Sequence, residues 1–91
     1  MNASDLTRAQ SALEDRKREA RYAYALSMIA PTGHYRRVMT KAEERCNAGD
    51  GATYRQSLHD EITRLAAAEK DANDQYDQTV RQARRELGLS R

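Results

Sequence analysis

Apolar residues recur along this chain three and four positions apart, the spacing that places side chains on one face of a helix. Two clusters of helix-breaking residues interrupt the pattern, Pro31-Thr32-Gly33 and Gly49-Asp50-Gly51. Proline removes a backbone donor and collides with the preceding turn, and glycine loses more conformational freedom in a helix than any other residue. The segments between these clusters consist largely of good helix formers. The pattern therefore predicts three helices, over about 4–29, 34–47 and 53–87.

In the first helix, Ser4 is the expected cap and Asp5 suits the first turn. Its apolar stripe runs through Leu6, Ala9, Leu13, Ala20, Ala23 and Ser27, broken by Arg16. A second stripe of Tyr22, Leu26 and Ile29 takes over towards the end, so packing is expected to be strongest near Pro31. The second helix gathers Tyr35, Val38, Met39, Ala42 and Cys46 on one face, with Arg37, Lys41 and Glu44 opposite. Gly49 is available for a left-handed cap.

The third helix opens with Thr53-Tyr54-Arg55-Gln56, which matches a capping box. Gly88-Leu89 resembles a Schellman stop, with Leu89 folding back on Ala83 or Arg84. Tyr54, Leu65, Tyr76 and Leu87 recur every eleven residues. Leu58 and Val80 fit a second register interrupted by Glu69, and Ala72 and Ala83 fit a third. Such a period favours a straight or slightly right-handed seam over a heptad coil. Thirty-five helical residues extend about 50 Å, against a diameter of roughly 30 Å for a compact domain of this size. The expected fold is thus all-α, a single small domain over 1–91. It is an elongated, coiled-coil-like helical hairpin or bundle whose long C-terminal helix needs further cover.

Composition strengthens that expectation. The chain has no Trp and no Phe, and beyond the start residue only thirteen Leu, Ile, Val and Met. So thin a core predicts marginal stability as a monomer, which burial against a partner or a second copy would relieve. The apolar stretch from Tyr22 to Ala30 is too short to cross a membrane. Asn2-Ala3-Ser4-Asp5 has no apolar signal core, and Cys46 is alone, so a cytoplasmic location is expected.

Net charge is +2, with thirteen Arg to three Lys. Charge therefore does not single out nucleic acid. The most concentrated basic group is His34, Arg36, Arg37, Lys41 and Arg45. At the start of the predicted second helix, free amides and cations together would form a site for phosphate or an acidic partner. Arg81, Arg84, Arg85 and Arg91 form a second cluster, already suited to a helix C-terminus. Of the five tyrosines, Tyr22, Tyr35, Tyr54 and Tyr76 are assigned to apolar seams, and Tyr24 is left free.

Chemistry is sparse. Asp71 to Tyr76 begins like a calcium loop, but Tyr76 stands where glycine is needed and Gln82 where the bidentate Glu belongs. His34 and His59 have no Cys or His at ligand spacing, so no metal is expected. Cys46 is expected to be a small buried hydrophobe rather than a nucleophile. No cofactor motif occurs. The expectation is a non-enzymatic, self-associating protein-binding module. Adaptors, inhibitors, chaperones and phage-type accessory proteins share its size and pattern. Its contact would lie on Tyr54, Leu58, Ile62, Leu65, Ala72, Tyr76, Val80 and Leu87. The alternative is a nucleic-acid accessory protein using the basic ridge.

Overall fold

The computed structural model describes residues 2–89. It is all-α, with two helices joined by one short turn: α1 over Ala3–Asn47 and α2 over Gly51–Glu86. Three predicted helices are therefore two. The segments 4–29 and 34–47 are one element, with Pro31 inside it. Breaking the helix there would strand four amides and four carbonyls and require a second nucleus. Proline forfeits one donor, the amide that would reach the Ser27 carbonyl. Gly33 keeps negative φ and offers no left-handed stop.

The ends are set by short-range hydrogen bonds. Asn2, not Ser4, caps α1: the Asp5 amide donates to Asn2 Oδ1 at 2.8 Å. At the turn, Gly49 adopts φ 100°. Its amide donates to the Cys46 carbonyl, and that of Asp50 to the Arg45 carbonyl, both at 2.9 Å. These two bonds are the Schellman pattern. Asp50 then caps α2 through the Thr53 amide at 3.1 Å, so the cap lies three residues before the predicted one. At the far end Gly88 has φ 71°. Leu89 donates to the Arg84 carbonyl at 2.8 Å, the stop expected from Gly88-Leu89. Arg91 of the second basic cluster lies outside the described residues.

Packing divides the chain into two compact units. Unit 1 comprises Met1–Leu26 and Ala72–Arg91, and unit 2 comprises Ser27–Asp71. Unit 1 buries Ala9, Leu13 and Ala20 from α1 with Ala72 and Ala83 from α2, Ala83 completely. Arg16 and Glu86 join the two segments at 3.1 Å on its surface. Leu89 turns back to line a cavity of about 380 Å³ with Gln10, Leu13, Glu14, Lys17 and Arg84. Unit 2 is a helical hairpin that buries Met39 and Ala42 of α1, and Glu61 of α2.

The eleven-residue period extends beyond α2. In α1, Ala9, Ala20 and Ala42 are buried and Pro31 is half-buried at the same interval. In α2 the buried set is Glu61, Ala72 and Ala83. Eleven residues fill three turns at 3.67 per turn, close to the natural helical repeat, so one face stays inward along a long helix. This register selects small side chains: among the described residues, five of the seven buried apolar ones are alanine, and no large side chain is fully buried.

The second stripe of α1 departs from expectation. Tyr22, Leu26 and Ile29 are 68 %, 50 % and 65 % exposed. Eleven-residue steps from Leu13 and Lys17 lead instead to Tyr24 and Met28, both half-buried. Packing is therefore not strongest before Pro31. Tyr22 and Tyr24 exchange their expected roles, and Tyr24 has interaction partners.

Candidate interaction surfaces

The predicted contact residues of α2, with Leu87 just beyond its end, differ in exposure. Ala72 is buried, while Tyr54, Leu58, Leu65, Tyr76, Val80 and Leu87 are half-buried. Only Ile62, 52 % exposed, lies open. Glu69, which interrupts the second register, is exposed. The large apolar side chains left outside are thus mainly on α1: Leu6, Tyr22, Leu26 and Ile29. The sequence showed Tyr22, Leu26 and Ile29 as a stripe. Extending the eleven-residue register into α1 would have shown that this stripe lies off the packed face.

Beside Tyr22, the side chains of Asp15, Arg18 and Glu19 line a shallow groove of about 440 Å³. Asp15 and Arg18 pair across one turn at 3.4 Å. Lys17 and Glu14 do the same at 3.4 Å. Exposed pairs of this kind contribute about 0–1 kcal/mol. Their importance here is that both charge signs border one apolar residue.

The basic ridge lies in unit 2. Arg36, Arg37, Lys41 and Arg45 are exposed and His34 is half-buried. Because α1 continues through Pro31, the amides of residues 32–35 are spent inside the helix. The expected anion site at a helix start therefore does not form. Lys41 and Arg45 flank a cavity of about 420 Å³ with Val38, Ala42, Glu44, Thr53 and Ser57. Asp50, at the adjacent turn, is held below the usual carboxylate range. The Thr53 hydroxyl is the main cause, followed by its amide, with a smaller contribution from Arg45. Unit 2 as a whole carries seven Lys and Arg against seven Asp and Glu.

Glu61 is the buried residue that sequence reasoning missed. It is 5 % exposed, the only polar member of the buried set among the described residues. Its Oε2 lies 3.4 Å from His34 Nε2, and its Oε1 lies 3.8 Å from the Arg64 guanidinium. Arg64 Nη1 is 2.6 Å from the same His34 nitrogen. Stepping back eleven residues from Ala83 and Ala72 lands on Glu61, so the signal was present in the α2 repeat.

Cys46 is exposed, contrary to its expected burial. It sits in the last turn of α1, one residue before the helix ends at Asn47. The segment from Asp71 to Tyr76 is regular helix within α2. Among the described residues no cluster of three or more His, Cys, Asp or Glu is placed to hold a metal ion. No helix among them is long and apolar enough to cross a membrane. Comparison of the chain with protein-family models, curated protein sequences and solved structures finds no match.

Proposed function

We propose that this chain is a non-enzymatic protein-interaction module that associates with a second copy of itself through α1. The observation that carries the reading is the exposure of Tyr22, Leu26 and Ile29 in a chain whose buried apolar set is mostly alanine. Aromatic and large aliphatic side chains are the usual anchors of protein interfaces, and leaving them in water wastes roughly 1.5–3 kcal/mol apiece of burial energy. The mixed rim of Asp15, Arg18 and Glu19 beside Tyr22 suits a copy of the same surface. In a two-fold contact each acidic group can meet a basic one from the other chain. Under this reading the coiled-coil-like character belongs to the assembly, and the α2 stripe contributes mainly through Ile62.

Light scattering coupled to gel filtration tests this. Wild-type protein is expected to elute at twice the chain mass or more. Tyr22→Ser/Leu26→Ser/Ile29→Ser is expected to elute as a monomer with undiminished helicity. A monomeric wild type across the accessible concentration range would remove the proposal.

The second reading, a nucleic-acid accessory role, draws on the exposure of Arg36, Arg37, Lys41 and Arg45. The equal acidic complement of unit 2 weighs against it. Binding driven by phosphates falls steeply as salt rises, and a flat titration against mixed DNA and RNA would dispose of it.

A further inference from the structure

We infer that His34, Glu61 and Arg64 form a proton-controlled exchange of counter-ions inside unit 2. His34 Nε2 stands 2.6 Å from Arg64 Nη1 and 3.4 Å from Glu61 Oε2. These two contacts require opposite states of one nitrogen. A guanidinium has only donors, so Nε2 must be bare to accept from Arg64. A carboxylate has only acceptors, so Nε2 must carry a proton to bond Glu61. The nitrogen can satisfy one partner at a time.

Neutral His34 therefore holds its proton on Nδ1, accepts from Arg64 at Nε2, and leaves Arg64 to balance Glu61 at 3.8 Å. Taking up a proton from water places N–H on Nε2 as well. Imidazolium then donates to Glu61 and repels the guanidinium, which is free to turn outward because the Arg64 side chain is 63 % exposed. Glu61, buried in a position that α2 otherwise fills with alanine, keeps a cationic partner in both states. Leaving a buried carboxylate unpaired would be costly.

The groups facing His34 from α2 are Glu61 and Arg64. On α1 the next turn carries Arg37, whose guanidinium lies back over Gly33. Asp60, beside Glu61 in sequence, accepts from Gln56 Nε2 at 2.9 Å. The exchange is thus local to three side chains, and acidification releases a guanidinium to the surface of α2.

Long-range proton–nitrogen spectra of the imidazoles in the full chain report the tautomer directly, with exposed His59 as the internal comparison. Above its titration, wild-type His34 is expected as the Nδ1–H tautomer. Arg64→Ala, at an exposed position, is expected to convert it to Nε2–H facing Glu61. Through the titration, the Arg64 side-chain resonances should move with the same midpoint as His34. An Nε2–H tautomer in the wild type would overturn the inference. So would an Nδ1–H tautomer indifferent to Arg64→Ala, or an Arg64 signal that ignores His34.

Discussion

Units 1 and 2 draw on the same two helices and the same eleven-residue register, yet they fill it differently. Among the described residues, unit 1 buries only apolar side chains: Ala9, Leu13, Ala20, Ala72 and Ala83. Unit 2 buries Met39 and Ala42 beside a carboxylate, Glu61, which needs His34 and Arg64 to be tolerable there. Both also differ from what a hydrophobicity ranking would select. Tyr22, Leu26 and Ile29 remain in solvent while alanines are buried. Position in the register, rather than side-chain size, decides what is inside. What lies outside becomes the natural candidate for contact with another molecule.

The comparison can be broken most severely at Leu13, the one large side chain buried in unit 1 among the described residues. Leu13→Ala is expected to cost about 2–5 kcal/mol, the range for deleting a buried leucine side chain. Amide exchange should show the loss across 9–20 and in 72–83. A loss below 0.5 kcal/mol (roughly the scatter of surface substitutions) would mean that this seam contributes little to stability.

Pro31 offers a test of opposite sign. Pro31→Ala would complete the series of alanines at positions 9, 20 and 42 and restore a backbone donor. Stability is expected to rise, by up to ~3 kcal/mol, in chemical denaturation. A fall would show that the ring itself supplies packing that alanine cannot.

Ala83 tests whether unit 1 requires small residues. It has no exposed surface, and Ala83→Leu is expected to cost about 1–3 kcal/mol by overpacking. A rise in melting temperature would instead reveal unfilled space along the seam.

The smallest effect is expected at the turn. The Asp50 carboxyl is held low by Thr53, so the folded state releases its proton more readily than the unfolded one. Its stabilisation is complete above the unfolded carboxylate value near pH ~3.9, and is lost as pH falls through the lower folded value. Denaturation at pH 7 and pH 3 should show an acid loss in the wild type that exceeds the loss in Asp50→Asn. Equal losses would assign the acid sensitivity elsewhere.

Much of the fold was legible in the residues. Helicity throughout, the stop at Gly88-Leu89, the left-handed Gly49 and the α2 period all follow from local chemistry. Pro31 and Gly33 misled because local propensity omits the cost of ending a long helix, where stranded backbone groups outnumber the one donor that proline removes. The caps shifted to Asn2 and Asp50 because several polar residues precede each helix, and only the path of the chain selects among them. The α2 stripe was legible as a seam, but not the extent of its cover, which leaves Ile62 exposed and most of the other members half-buried. That depends on α1 continuing beyond residue 29. Glu61 was hidden by its company, since an acidic residue among Asp60, Glu69 and Asp71 reads as part of a solvated face.

Methyl spectra recorded across a wide protein concentration range test the account most directly. With rising concentration, the methyl signals of Leu26 and Ile29 are expected to shift and broaden together, while those of Leu13 stay fixed. Methyl signals that stay still throughout, or movement confined to Leu58, Leu65 and Val80 of α2, would contradict it.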